Sequence, residues 1–207
     1  MRAVAFDAMG VLYRSWDDLA DLLIPFAREH GCTLSDTEIG AVYRRASSGE
    51  LTSGELWADL GVAGEPRELD RAHLARHRVV PGIIELLDEL QAQGVWLGCI
   101  SNDVAEWSRA LRIDHGLDRL ITHWTVSGEV GARKPDERIF HAFLAASGFA
   151  PSEVTFIDDR PKNIGAASAL GFRTILVDFA GVGSVGAVRT VAELRAALDA
   201  AKGRHST

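Results

Sequence analysis

The sequence predicts an α/β protein: a doubly wound parallel sheet forming a Rossmann-like core, with a helical cap inserted into it. Three observations carry this expectation. From residue 81 onward, short apolar runs alternate with stretches of helical periodicity. Residues 15–79 show helical periodicity and no convincing strand. The apolar runs break off at polar residues, as strands do where an open α/β sheet gathers its ligands. The expected domains are a core of residues 1–14 and 80–207 and a cap of residues 15–79.

In chain order, Ala3 to Phe6 is a buried strand that delivers Asp7 to its end and turns at Gly10. From Trp16, Leu19, Leu22, Leu23 and Phe26 share one helical face, followed by Ile39, Val42 and Tyr43, then Leu56 and Leu60, then Leu69 and Leu74. The segment 46–54 is a loop whose Thr52 or Ser53 caps the next helix. Pro81 is expected at the first position of a helix carrying Ile83, Ile84, Leu86, Leu87 and Leu90, with Gly94 past its end. Val95 to Ile100 is a strand ending in Ser101-Asn102, and a helix runs from about Val104 to Ile113. Ile121 to Val126 is a weaker strand. Lys134-Pro135 is expected to begin a helix bearing Ile139, Phe140, Phe143 and Leu144, closed by Gly148. Val154 to Ile157 is a strand ending in Asp158-Asp159, with a helix to Leu170 and a stop at Gly171; Thr174 to Val177 is the last strand. Phe179 to Ala187 reads as a loose Gly-rich connector, and Val191 to Ala201 as an exposed terminal helix. The fingerprint-like glycines around Gly181 follow the last strand with no βαβ unit, so they do not predict a nucleotide site.

Composition narrows the function. The formal charge is −7 and the three lysines are Lys134, Lys162 and Lys202, so no basic stripe suits a nucleic-acid backbone. No apolar run approaches the ~18 residues of a membrane span. Cys32 and Cys99 cannot make a disulfide framework, which fits a reducing cytoplasm.

Taken singly, each polar strand end has a bland account: Asp7 as a turn former, Ser101 as a helix cap, Lys134 as a solvated charge, Asp158-Asp159 as a turn and cap pair. Their convergence is harder to dismiss. Right-handed crossovers put the C-terminal ends of parallel strands on one side, so Asp7, Ser101 and Asp158-Asp159 share a rim. A lysine and three carboxylates at a water-excluding edge need mutual neutralisation, and a hard divalent cation held by oxygens supplies most of it.

At four motifs the chain resembles the haloacid dehalogenase-like hydrolases, most of which are magnesium-dependent phosphatases. The motifs are Phe6-Asp7-Ala8-Met9-Gly10-Val11, Ile100-Ser101-Asn102, Arg133-Lys134-Pro135 and Phe156-Ile157-Asp158-Asp159. Within that family it is similar to the branch with a small helical cap between the first and second motifs, and the wording around Lys134 and from Asp158 to Asn163 is similar to bacterial sugar-1-phosphate phosphatases. The resemblance implies that Asp7 is a nucleophile forming an aspartyl-phosphate, that Ser101 and Lys134 bind phosphoryl oxygens, and that Asn102 helps orient the substrate. It implies a Mg²⁺ held directly by Asp7, Asp159 and the backbone carbonyl of Met9, with Asp158 nearby, behind these ligands or reaching the ion through water. The substrate would be a small phosphorylated metabolite, met by Arg44, Arg45 and the 47–53 loop of the cap, and the protein a monomer or homodimer. Arg160 is equally readable as site or surface.

The chain departs from the family at Met9, where most family phosphatases have an aspartate that serves as acid and base. A backbone ligand survives that change, but a proton donor does not, and its loss typically costs ~10²–10⁴-fold. Relatives acting on anomeric phosphates also lack this aspartate, which favours a sugar-1-phosphate with its better leaving group; Asp103 or an acid or His of the cap is the alternative proton donor. Two other readings remain: a metal-independent 2-haloacid dehalogenase, disfavoured because Asp158-Asp159 beside Asp7 would repel without a cation, and a catalytically retired binding module. Phosphonoacetaldehyde hydrolase chemistry needs a cap lysine, and residues 16–80 contain none.

Overall fold

The computed structural model describes residues 2–15 and 17–203, for 202 and 203 the backbone alone. Trp16, where the helical texture starts in the sequence, lies outside them. Five parallel strands form the sheet in the order β3-β2-β1-β4-β5: β1 Ala3–Phe6, β2 Trp96–Ser101, β3 His123–Val126, β4 Val154–Asp158 and β5 Arg173–Leu176. β1 is central, with Phe6 level with Cys99 on one side and Ile157 on the other. The chain builds outward from β1 to β3 and then crosses back to β4, so the order reverses at β1, the place where doubly wound sheets open a crevice at their carboxyl ends.

β1 has no exposed residue, and its period-2 alternation splits the core. Val4 and Phe6 join the larger apolar cluster, while Ala3 and Ala5 face a second one built on Phe140, Phe143 and Phe156. A Cβ on Gly98 would run into the Phe143 ring, so the glycine in β2 is what admits that ring to the sheet.

Between β1 and β2 the chain makes a π-helical turn, Leu19–Leu23, followed by α1 Ile24–Glu29, α2 Asp36–Ala46, α3 Ser53–Asp59, α4 Pro66–Leu74 and α5 Ile83–Ala92. Ser35 and Thr52 start α2 and α3 with reciprocal capping boxes to Glu38 and Glu55, which settles the sequence's choice of Thr52 or Ser53. Trp57 of α3 and Trp107 of α6, Ala105–Asp114, both donate to Asp70 Oδ1, at 2.8 and 2.6 Å; this one carboxylate clamps the inserted helices to the sheet's own. α7 Ser127–Val130, α8 Glu137–Ser147, α9 Pro161–Ala169 and α10 Val191–Gly203 complete the chain.

Several sequence expectations need correction. Pro81 does not open α5, because Gly82 takes φ +82°, a conformation that glycine adopts freely, and the helix begins at Ile83. Lys134-Pro135 does not open α8, because Asn102 pins the backbone of Lys134 and Asp136 is the cap that accepts from Arg138 N. The connector after β5 is not loose: the N–H groups of Val182, Gly183 and Ser184 converge on the Asp178 carboxylate at 2.8, 2.9 and 3.1 Å. Those are the donors a phosphate would need, and a side chain of the protein already occupies them. Nor is α10 exposed, since Leu194 and Leu198, one turn apart, are buried beside α5 and contribute roughly 1.5–3 kcal/mol each. No helix among the described residues is long and apolar enough to cross a membrane.

Candidate active site

The C-terminal rim of the sheet gathers the charged motifs. Asp7 directly follows β1, Ser101 ends β2 with Asn102 after it, Asp158 ends β4 with Asp159 after it, and Lys134 arrives from the loop between α7 and α8. Lys134 Nζ lies 2.7 Å from Asp7 Oδ1 and 2.8 Å from Asp158 Oδ2 and donates to Ile100 O at 2.6 Å. All three donor directions of the ammonium are therefore used, in a residue 3% exposed. Asn102 holds the lysine's backbone in place by giving Nδ2–H to Lys134 O (2.9 Å) and accepting from Lys134 N (2.7 Å). Asp158 is fixed by Asn163 Nδ2 (3.0 Å) and by the backbone N–H of Arg160 (2.7 Å). Asn163 lies one turn into α9, and sequence reasoning gave it no role; its spacing from Asp158, on the first turn of the following helix, is the signal that could have found it.

Oxygen atoms of Asp7, Asp158 and Asp159 all lie within 4.8 Å of one another, and Asp159 Oδ2 is buried with no hydrogen-bond partner. One lysine cannot balance three carboxylates. Burial drives the Asp7 carboxyl well above the ordinary range, Lys134 pulls it back, and Asp158 and Asp159 push it further up. Burial, reinforced by Asp158, raises Asp159 to about 7. Burial would depress Lys134, yet Asp158 and Asp7 together raise it, so it stays an ammonium. This all-oxygen donor set with an orphaned buried oxygen fits a hard divalent cation. Gly10, at φ +77°, is part of the fit, because a Cβ there would overlap the Asp159 carboxylate.

A cavity of about 300 Å³ opens over the rim, lined among others by Asp7, Met9, Asn102, Lys134 and Asp159, with Tyr43 and Arg44 of α2 on its far wall. Ser101, at the end of β2 next to Asn102, is not among the lining residues; its Oγ is buried and makes no hydrogen bond. Arg160 lines the cavity, 3.5 Å from Asp17 and 3.7 Å from Asp159. Arg133 and Lys162, which sequence reasoning did not assign, line it too. Arg45 does not: the ~100° step along α2 turns it away, and it pairs instead with Asp59 at 2.8 Å and Glu50 at 3.6 Å. The 47–53 loop is likewise absent from the lining; its Ser47 accepts from Arg133 by its hydroxyl and from Ser127 Oγ by its carbonyl, docking the inserted helices onto α7. Asp103 is pushed up to about 8, chiefly by burial and then by Asp18, but it lies outside the cavity lining and spends Oδ1 on Val104 N.

The comparisons with known proteins follow this geometry. A family model described as haloacid dehalogenase-like hydrolase matches residues 1–171. The phosphoserine phosphatase of Thermus thermophilus is 34% identical over 122 residues, covering 57% of this chain and 49% of that protein. Among solved structures, a haloacid dehalogenase-like phosphatase from Thermococcus onnurineus superposes with a TM-score of 0.76 at 21% identity over 96% of this chain and 98% of its own. A family enzyme of Bacteroides thetaiotaomicron, solved in complex with magnesium and inorganic phosphate, superposes with a TM-score of 0.72 at 19% identity over 90% and 97%. The chain spans about half the length of the curated relatives it matches. With the model matched across four of the five strands and the inserted helices, the chain belongs to the haloacid dehalogenase-like hydrolases.

Proposed function

We propose that the protein is a Mg²⁺-dependent phosphatase of a small phosphorylated metabolite, with Asp7 as nucleophile and with leaving groups that depart without a proton donor at position 9. The observation that carries this reading is the buried rim in which Asp7, Asp158 and Asp159 surround one lysine, beside a cavity wall that presents Met9. Oδ1 of Asp7 is occupied by Lys134 Nζ and by Ala8 N at 2.6 Å, which leaves Oδ2 to attack phosphorus in line. The P–O bond to the metabolite breaks as the bond to Oδ2 forms, giving an aspartyl-phosphate that water then opens. The unpartnered Ser101 hydroxyl can donate to a transferring oxygen, while the Lys134 ammonium, its three donors spent on Asp7, Asp158 and Ile100 O, offsets the phosphoryl charge through space. Asp7, Asp158, Asp159 and the Met9 carbonyl would hold Mg²⁺, which when bound offsets the charge of the carboxylates and of the phosphoryl group. Residues 15–79 act as a cap: Tyr43 and Arg44 face the cavity and screen it from water.

Position 9 selects the substrate. A sugar-1-phosphate leaves as an anomeric hydroxyl, which needs less help from an acid than an ordinary alcohol. On a panel of sugar-1-phosphates, sugar-6-phosphates, phosphoserine and phosphoglycolate with Mg²⁺, the anomeric esters are expected to turn over fastest, and EDTA to stop all release. Faster release from the 6-phosphates would overturn the leaving-group argument, and no release from any ester would overturn the phosphatase.

A second expectation concerns pH. Asp159 binds a proton below about pH 7, and a cation needs the bare carboxylate. The Mg²⁺ concentration for half-maximal binding, followed by calorimetry, should therefore rise as pH falls from 8 to 6. A flat profile would place the cation elsewhere.

A further inference from the structure

Away from the rim, the described residues include a second group of side chains able to hold a metal. Asp18, His73 and His77 are all buried, and one ligand atom from each lies within 4.8 Å of the others. Asp18 stands just before the π-helical turn, where the chain leaves the sheet for the inserted helices; His77 stands after α4, where it returns. Those two passages run side by side, Arg14 N donating to Arg78 O at 2.8 Å and Val80 N to Leu12 O at 2.9 Å. We propose that Asp18, His73 and His77 form a binding site for a first-row divalent transition metal, zinc above all, that ties these two passages together.

His73 is the first reason. It is 0% exposed, it sits among the rings of Phe26, Trp57, Trp107 and His77, and neither of its ring nitrogens has a hydrogen-bond partner. Burying an unpaired imidazole is costly, and a bare nitrogen pointing into a cluster of ligand atoms is what a metal would satisfy. Asp18 Oδ2, also buried, lacks a partner too. His77 is the second reason. Its Nδ1 lies 3.2 Å from the Leu74 carbonyl and its Nε2 2.7 Å from Asp18 Oδ1. The carbonyl contact leaves Nε2 as the nitrogen turned towards the cluster, where it is now paired with Asp18, so a metal entering here would take the place of the His77–Asp18 contact while Nδ1–H stays on the Leu74 carbonyl. The donor set is the third. Two imidazoles, one in the last turn of α4 and one just beyond it, plus a single carboxylate suit zinc and its neighbours, whereas Mg²⁺ takes oxygens and belongs at the rim. Asp18 also lines the cavity, which supplies an entry path. The site shares no residue with the carboxylate rim and does not rest on the phosphatase reading.

The test uses full-length protein stripped with chelator and then given saturating Mg²⁺ to fill the rim. Titration with Zn²⁺ should give one tightly held equivalent, retained in Asp159→Asn and lost in His73→Gln and in His77→Gln. Zinc should raise the melting temperature of the parent protein and leave that of the histidine variants unmoved. X-ray absorption on the zinc-loaded parent protein guards against variants that do not fold: two imidazoles in the coordination shell support the site. An all-oxygen shell, no zinc retained by the parent, or equal retention by the folded histidine variants would each overturn it and leave Asp18 and His77 as an ion pair.

Discussion

Asp7→Asn is expected to release phosphate at a rate lower by roughly 10³-fold or more while remaining at least as stable as the parent protein. The two halves of this expectation come from one geometry. Loss of rate follows because the amide offers no anionic oxygen to attack phosphorus. Retention of stability follows because the amide oxygen can still accept from Lys134 Nζ and Ala8 N, while one of three crowded carboxylates loses its charge. Asp7 is held well above the ordinary carboxyl range by burial and by its two acidic neighbours, so the native charge is strain on the fold that substitution relieves. Phosphate release and thermal melting in EDTA, measured on the same preparation, check both halves. A variant that melts well below the parent would mean Asp7 is chiefly structural; a variant that still turns over at a comparable rate would mean the nucleophile lies elsewhere.

The fold was legible where side-chain period alone decides structure. β1 coincides with its expected span, because a strand buried on both faces is an uninterrupted apolar run, and the other four strands lie within a residue or two of theirs. Helix starts were misread where a proline was visible and the real determinant was a neighbour. At α5 that determinant is Gly82 in its left-handed conformation, and at α8 it is the tether between Asn102 and Lys134, a contact across 32 residues. α10 was misjudged because its two buried leucines, Leu194 and Leu198, are too sparse a stripe to distinguish a docked helix from an exposed one.

At the site, the residues that end strands were readable, and those whose orientation depends on packing were not. Asp7, Ser101, Asp158 and Asp159 reach the rim because a parallel sheet leaves them no other place to go. Arg44 and Arg45 differ by one step around α2, and which of them faces the cavity follows from how the helix packs, with Ile39, Tyr43 and Ala46 buried beneath it. Asp18, His73 and His77 were invisible for a related reason. Two histidines at helical spacing and an acid 55 residues before the first of them carry no signal until the chain's exit and return paths are laid side by side.

Met9→Asp is the substitution that most directly tests the chemistry. Met9 lines the cavity next to Asp7, so a carboxyl introduced there would stand beside the leaving group. Burial and the neighbouring carboxylates would raise its pKa, as burial and Asp158 already raise Asp159 to about 7, and a carboxyl titrating near neutrality is what a proton donor working at that pH needs. On alkyl phosphates, whose alcohols leave poorly, the expected gain is ~10²-fold or more. On p-nitrophenyl phosphate, whose phenolate departs unaided, the phosphorylation step should change little. The contrast between the two esters separates proton transfer from a general improvement in the site, and Asp7→Asn in the same background should erase both rates. Equal gains on both esters would point to better cation binding, which the Mg²⁺ dependence of the variant would reveal. No gain on the alkyl esters would mean that another group already supplies the proton.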